Sequence, residues 1–511
     1  MNQQARCVVS ALFAAVSVSA AGPARADVTV SGDVSPAGAT DPWNLGASPL
    51  LVAGTIPGPP RSGSVLVTNR GTVISAGAVL GGPYEEGSGT VEVTGYLSTW
   101  INDGALELGG HESSTGTLIV RRGAQVITDD LVVSGPYPHA YGSVLVEGYD
   151  ATLTSRTIAY IGHMWGGKVE LRQGASFFSH DVWFGYTGYR TPLGPIQASI
   201  TGSGTRWVST GEFIMGAGGR AAQLSIYRGE LSTVHAVVVG NNYENSVVSV
   251  SGWGGTWTNE ELLEVGGNAG FGGVVLGAHG TLVTGETVLR SQGGSGYILL
   301  EDVYSSWSNR GDVTILASLY TSVYPALQID GGGAVTIDGT LRVGSLPGGP
   351  GGPQWAVLLS NGSLTAGVIE LQSNTGFSFY RGRLDTSSFV GDLSNTAFGT
   401  LVVGEAHAST TIAGSYTQLG YASTRFTVAG PSAAPLLYVD GDVVLDGGAL
   451  EVRAADGALP FQAGDAVTLL GWGGALVGAF ESVDIDLPLA PGLVWDTSAL
   501  HLTGQIVAVP G

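Results

Sequence analysis

The chain has 511 residues, including 83 glycines, and its 20 basic and 41 acidic residues give a formal net charge of −21. Because charged residues make up only 12% and hydrophobic residues 43%, the composition excludes a disordered chain, and glycine without a three-residue period excludes collagen. A chain this acidic repels nucleic acid and anionic lipid, so we expect neither as a partner.

The first 26 residues have the form of a secretory signal peptide. Arg6 precedes the apolar run "CVVSALFAAVSVSAAG", and "ARA" at 24–26 supplies the small residues that signal peptidase requires. We therefore expect cleavage after Ala26 and secretion to the outer cell surface or beyond. The exported chain would have no cysteine, because Cys7 is the only one, and we expect no transmembrane segment in it.

A repeat dominates the sequence from residue 62 onward. Trp207, Trp257 and Trp307 are each 50 residues apart, and Trp100 and Leu153 extend the series upstream. A second element, of the form "LIVRRGAQVITDDLVVSG", alternates with the tryptophans. Its glycines recur at similar intervals, at Gly71, Gly123, Gly174, Gly229, Gly280 and Gly333. A fixed period of this length indicates a solenoid, a propeller or another repeat array.

Each repeat contains short strands and essentially no helix. Segments such as "VVSVSG" and "LSIYRG" alternate apolar and polar residues, and glycine-containing turns separate them. A repeat of about 50 residues fits a four-stranded propeller blade or two coils of a solenoid. The two similar halves of each repeat favour the solenoid. We therefore predict an all-β fold, a right-handed parallel β-helix with double-coil repeats of about 50 residues and a C-terminal β cap.

The predicted organisation has five parts. "LPGGPGGP" at 346–353 ends the regular repeats, and the glycine element gives way to a different pattern at about residue 431. We expect, in order, a signal peptide at 1–26, an N-terminal cap at 27–61, solenoid repeats at 62–345, degenerate coils at 346–430 and a C-terminal β cap at 431–511.

The repeat "GTWTNEELLEVGG" resembles a motif, SGxGTxWxNxxxLxVGxxG, that type V autotransporter passengers share with PEP-CTERM surface proteins. The ending "GAFESVDIDLPLAPGLVWDTSALHLTGQIVAV" is similar to the segment that closes the β-helix in those families. The resemblance covers residues 62–511 and implies a surface β-solenoid of a Gram-negative bacterium. Neither the membrane barrel of the first family nor the V-P-E-P segment and apolar span of the second follows "AVPG" at 508–511.

The repeated tryptophans have two interpretations. Trp207, Trp257 and Trp307 either pack in the core or form an exposed ladder that stacks against the sugar rings of a ligand. Two residues after each position of the series lies a small polar residue, which we expect to hydrogen-bond along the stack. These residues are Asn102, Ser155, Ser209, Asn259 and Asn309.

Ionisable residues supply the other candidates. Six residues after successive repeat glycines lie Asp129, His180, His235 and Glu286, which we expect to form a column at one corner, either solvated or lining a charged groove. No cofactor is expected except calcium, for which Asp440, Asp442 and Asp446 are candidate ligands. That loop lacks the spacing and the terminal Glu of an EF-hand.

These observations favour a structural or adhesive protein that binds weakly and repeatedly along a rod, with polysaccharide or other surface proteins as partners. The alternative is a carbohydrate-active enzyme, a polysaccharide lyase or glycosidase, because such enzymes also use parallel β-helices. The chain contains no GxSxG or HExxH motif, and Lys168 is its only lysine. The enzymatic alternative therefore depends on analogy of fold.

Overall fold

The computed structural model describes residues 27–511 except 38–39, 54–60, 83–85, 163–165, 186–195, 218–220, 241–244, 268–270, 291–295, 318–324, 346–355 and 373–375. The expected signal peptide at 1–26 and the boundary at 346–353 lie outside the described residues.

The chain forms a parallel β-solenoid, as predicted. Each coil contributes one strand to a sheet that we call face A, and then one bent strand or two short strands to a second sheet, sheet B. Sheet B bends once in each coil, which divides it into a first and a second limb. A typical coil has Thr115–Arg121 in face A and Gln125–Val133 in sheet B, where the pairing shifts between Thr128 and Leu131.

Face A is an 18-stranded sheet in which all strands except the first run parallel to one another. Its strands are Asp27–Gly32, Arg61–Thr68, Gly87–Thr94, Thr115–Arg121, Tyr141–Glu147, Gly167–Arg172, Ile196–Thr201, Ala222–Tyr227, Ser246–Ser251, Gly272–Leu276, Gly296–Leu300, Leu327–Ile329, Val357–Leu359, Phe377–Phe379, Leu393–Asn395, Tyr416–Leu419, Val443–Asp446 and Leu476–Ala479.

Sheet B begins with short strands and becomes regular from residue 99. Its strands are Val34–Ser35, Trp43–Asn44, Leu50–Val52, Thr72–Ser75, Ala78–Leu80, Thr99–Leu108, Gln125–Val133, Thr152–Ile161, Ser176–Phe184, Arg206–Ser209, Glu212–Met215, Glu230–Thr233, His235–Val238, Thr256–Val265, Thr281–Arg290, Ser306–Asn309, Val313–Ala317, Ala334–Ser345, Ser363–Leu371, Gly382–Val390, Gly399–Val403, Thr410–Ala413, Ser423–Val428, Leu437–Val439, Ala449–Ala454, Leu470–Trp472 and Ser482–Asp486.

Alternating side chains build one continuous core. In Ser246–Ser251, for example, Val248 and Val250 are fully buried while their neighbours face outward. Since successive strand residues point to opposite faces, the apolar residues of every coil enter the interior, where they pack against the coils on either side. A single coil cannot bury this surface alone, so stacking supplies the stability.

The structural unit is the single coil of about 26 residues, not the 50-residue double coil. Thr115 is in register with Tyr141, and Trp257 with Leu282, one coil later. The 50-residue period of the sequence therefore spans two such coils.

The solenoid extends further towards the C-terminus than we predicted. Strands Val443–Asp446 and Leu476–Ala479 continue face A, and Ala449–Ala454 and Ser482–Asp486 continue sheet B, all in parallel register. Parallel coils thus continue from residue 431, where we expected the cap to begin, to residue 486, because alternating apolar residues suffice for stacking without the glycine signature.

Different elements cover the two ends. At the N-terminus Asp27–Gly32 pairs antiparallel with Arg61–Thr68. At the C-terminus Gln505–Pro510 lies between Ala466–Thr468 and Leu493–Asp496 in a small antiparallel sheet, beside the short helix Leu500–Thr503. The N-terminal pairing covers the first edge of face A, which protects that edge from pairing with another chain. In the described part of the chain, no helix is long and apolar enough to cross a membrane.

Candidate binding edge

The tryptophans that recur every 50 residues lie in the core. Trp207, Trp257 and Trp307 are at most 1% exposed, at one inward position of the first limb of sheet B. In the intervening coils Leu231 and Leu282 occupy the same position. Large and smaller side chains thus alternate and interdigitate, which gives the double-coil period. The packing interpretation is correct, and these rings are not available to stack against a ligand.

Each buried indole is anchored to the coil before it. Trp257 donates its N–H to Thr233 Oγ1 at 3.0 Å, and Thr233 donates to Asn259 Oδ1 at 2.8 Å. Trp307, Thr284 and Asn309 repeat the pattern, with distances of 2.9 and 2.7 Å. The polar residues two positions after the tryptophans are therefore buried at the bend and bond along the stack, as we predicted for Asn102, Ser155, Ser209, Asn259 and Asn309.

The expected ionisable column is only partly formed. His235 and Glu286 lie two coils apart in one outward column at the bend of sheet B, with Leu262 between them. Asp129 and His180 instead fall where the pairing is interrupted, and Asp130 and Asp181 take the column positions. The sequence spacing missed this because the bulge adds a residue in those coils.

The four ionisable candidates do not converge on one site. Asp129 forms an ion pair with Arg156 at 3.0 Å, and His180 Nδ1 bonds to Thr210 Oγ1 at 3.1 Å. The candidate calcium ligands are equally dispersed: Asp440, Asp442 and Asp446 are exposed, and Asp442 accepts a hydrogen bond from the Ala475 N–H at 2.8 Å. Among the described residues no three His, Cys, Asp or Glu side chains are grouped to hold a metal ion.

A different set of aromatic residues is exposed. They lie at the corner where each coil turns from face A into sheet B, and we call this corner the aromatic edge. Tyr96, Tyr149, Trp253 and Tyr304 are 66%, 75%, 73% and 70% exposed. The first three precede Trp100, Leu153 and Trp257 by four residues. Tyr96 and Tyr149 are therefore two coils apart, and Tyr149 and Trp253 are four coils apart.

The coils between them carry cationic or polar side chains at the same corner. These residues stand immediately before the repeat glycines, and all have a positive φ of 58–70°: Arg70, Arg122, Gln173, Arg228 and His279. The left-handed region costs an L-residue about 1–2 kcal/mol, and glycine occupies it without that cost. Gly332, at the equivalent position further along the edge, shows that glycine fits there.

The exposed rings reach from one coil over the next. A Cβ atom at Gly174 would lie 2.5 Å from Cδ1 of Tyr149, so the tyrosine lies over this glycine. Further along, His279 is stacked between two rings, with centroids 3.9 Å from Trp253 and 4.8 Å from Tyr304. The edge is therefore a row of rings and arginines that follows the axis of the solenoid.

The edge resumes in the C-terminal coils. The Arg381 guanidinium lies 5.1 Å from the ring centroid of Phe398, which stacks on Tyr421 at 5.3 Å with an interplanar angle of 7°. Phe398, Arg383 and Arg425 line a shallow groove of about 380 Å³ beside this stack.

The arginines of the edge differ from most others in the chain. Arg121 and Arg172, on face A, form ion pairs with Glu92 and Glu147 at 3.3 and 3.1 Å. Within the described residues, no carboxylate lies within ion-pair distance of the edge arginines, which are Arg70, Arg122, Arg228 and Arg381.

The aromatic edge was not predicted from the sequence, although the sequence contains a signal for it. The aromatic residue follows a glycine in "GYLSTW", "GYDATL" and "GWGGTW", and an arginine or histidine precedes a glycine in "RRG", "YRG" and "AHG". Both patterns keep the register of the buried tryptophans. Compared with known proteins, the chain matches no family model and no curated protein.

Proposed function

We propose that this chain is an exported β-solenoid with a structural and adhesive role at the cell surface or in the extracellular matrix of a Gram-negative bacterium. The exposed aromatic edge is the observation that carries the proposal. Tyr149, Trp253 and Tyr304 keep at least 70% of their surface exposed. Large exposed aromatic side chains in a continuous row typically mark an interaction site. The signal-like residues 1–26 and the resemblance of the repeats to surface proteins support the location.

The geometry of the edge suits many weak contacts with one long partner. Equivalent positions recur every coil, at the strand spacing of about 4.8 Å, and the aromatic residues at about two or four times that distance. A polymer that contacts one ring is held close to the next, so each further contact forms at a high effective concentration. Adhesion then follows from repetition and does not require a deep pocket.

The alternative, a carbohydrate-active enzyme, has its best location in a groove of about 570 Å³ on face A. Gln197, Gln223 and Ser199 line it and could bond to sugar hydroxyls. Glycoside hydrolysis requires two carboxyl groups on either side of one bond. Among the described residues lining the groove, Glu170 is the only carboxylate, and it is ion-paired with Lys168 at 2.9 Å. The groove thus favours binding over catalysis.

The test is co-sedimentation of residues 27–511 with a panel of neutral and acidic polysaccharides, with newly formed reducing and unsaturated ends assayed in the same tubes. A variant with Tyr96, Tyr149 and Tyr304 changed to Ser should lose most of the binding. The matched control changes three exposed tyrosines away from the edge, Tyr137, Tyr141 and Tyr438, and should bind like the original chain.

Two results would overturn the proposal. New chain ends would establish the enzymatic alternative. Binding to none of the polymers, or equal binding by the edge variant and the control variant, would remove the adhesive role of the edge.

A further inference from the structure

We infer that the part of the aromatic edge between Arg70 and His279 binds an acidic polysaccharide laid along the solenoid axis. The inference rests on the proposed function and names the ligand class. In this stretch the coils alternate between a ring and a cationic or polar residue, most clearly in Arg70, Tyr96, Arg122 and Tyr149, and again in Arg228 and Trp253.

Charge is the first argument for an anionic ligand. The edge arginines are exposed and lack a carboxylate partner among the described residues, in a chain whose acidic residues outnumber its basic ones by 41 to 20. An arginine fork binds carboxylate or sulfate with two parallel hydrogen bonds. Asp150, next to Tyr149, is exposed at the same corner, and beyond His279 the corner is occupied by Glu301, Asp302 and Asp330, so the proposed binding stretch ends at His279.

Backbone strain is the second argument. At Arg70, Arg122 and Arg228 a side chain is kept where glycine would relieve a φ of 58–70°. The three arginines make no hydrogen bond or ion pair through their side chains within the described residues that would compensate for the strain. Strain at such positions is characteristic of sites that bind a partner.

Spacing is the third argument, and it favours a polysaccharide. Tyr149 and Trp253 are four coils apart, with Ser203 at the ring position between them, whereas Tyr96 and Tyr149 are two coils apart, at about 9.6 Å or twice the strand spacing. This distance is comparable to the length of a disaccharide, so alternate sugars can lie on Tyr96 and Tyr149 while the acidic group of the sugar between them reaches Arg122. A single-stranded nucleic acid is also a polyanion that stacks on aromatic rings, so it is tested as a separate arm of the experiment.

The experiment compares acidic polymers with neutral polymers of the same backbone. Binding of residues 27–511 is measured for polygalacturonate against its fully methyl-esterified form, for alginate against its methyl ester, and for chondroitin sulfate against desulfated, methyl-esterified chondroitin. Poly(dT) is a separate arm. The variant changes Arg70, Arg122 and Arg228 to Gln, and the matched control changes Arg61, Arg290 and Arg310, which lie away from this corner, to Gln.

We expect at least one acidic polymer to bind at least tenfold more tightly than its neutral counterpart, with binding that weakens as salt is added. The edge variant should lose this preference, and the control variant should keep it. The inference is overturned if no acidic polymer exceeds its neutral counterpart, if both variants bind alike, or if poly(dT) binds more tightly than every polysaccharide. Equal binding of acidic and neutral polymers that is lost in the Tyr96, Tyr149 and Tyr304 variant would overturn this inference and leave the proposed function intact.

Discussion

Two aromatic columns run along this solenoid with the same double-coil period and opposite environments. Trp253 and Trp257 are four residues apart in one coil, and they are 73% and 0% exposed. Trp257 occupies an inward position of a strand, whereas Trp253 stands in a turn between two glycines of positive φ, Gly252 and Gly254. Periodicity therefore identifies equivalent positions. Only the path of the backbone determines which column is buried and stabilises the fold, and which is exposed and can contact a partner.

The largest expected effect comes from removing a buried ring. Trp257→Ala deletes a fully buried side chain between Leu231 and Leu282 and leaves the Thr233 hydroxyl without its indole donor. Loss of a large core side chain costs about 3–5 kcal/mol. We expect the urea midpoint to fall accordingly, as followed by circular dichroism. Trp253→Ala is the control, and it should change the free energy of unfolding by about 0.5 kcal/mol or less.

Iodide quenching checks the same pair without denaturant. Trp253 should account for much of the accessible fluorescence, so Trp253→Ala should reduce the quenchable fraction and Trp257→Phe should not. Equal midpoints for the two alanine variants would contradict the division into a buried and an exposed column.

A smaller loss should follow from removing the polar partner of the buried column. Asn309 is fully buried, accepts hydrogen bonds from Thr284 and Thr287, and donates to the Gly311 carbonyl at 2.7 Å. Asn309→Ala removes a buried acceptor from both hydroxyls and the donor from the Gly311 carbonyl, at a cost of about 1–3 kcal/mol. Urea denaturation measures the loss. Ser308→Ala, at the adjacent outward position, should have little effect; a comparable loss there would show that the bend depends on backbone alone.

The sequence predicted the coil better than it predicted the surface. Period-2 alternation and frequent glycine indicated strands stacked in coils, and small polar residues after the tryptophans indicated bonds along the stack. These features follow from local chemistry. By contrast, Asp129 and His180 were assigned to a column that a bulge shifts by one residue, and Trp253 was not noticed because turn geometry, set by glycine φ angles, determines its exposure.

The repeat signature also did not predict where the solenoid ends. The glycine element fades before residue 431, yet Leu450 and Val452 still point inward and pair with Val483 and Ile485 one coil later. Parallel pairing requires only alternation and matching coil length, so coils can persist after the residues that made them recognisable have been lost.

The smallest expected effect concerns Asp312, an outward residue at the bend of sheet B. Because exposed side-chain contacts stabilise a fold only weakly, we expect little stabilisation from its contacts even though they are well formed. Asp312 continues the column of Glu286 and accepts hydrogen bonds from the Thr340 N–H at 2.8 Å and from the Arg342 guanidinium. These contacts, the Thr340 bond first, lower the pKa of Asp312 below its ordinary value of 3.8. A lowered pKa contributes stability that is present above the ordinary pKa and is lost as pH falls through the folded-state pKa.

Asp312→Asn should therefore cost less than about 1 kcal/mol at pH 7, since the pair is exposed and screened, and the difference from the original chain should shrink below about pH 4. Urea midpoints at pH 7, 5 and 3 provide the measurement. Asp446→Asn, an exposed carboxylate in no ion pair among the described residues, is the matched control. A loss at pH 7 as large as that of Asn309→Ala would mean that outward contacts stabilise the coils as strongly as inward ones, and the contrast between the two columns would no longer hold.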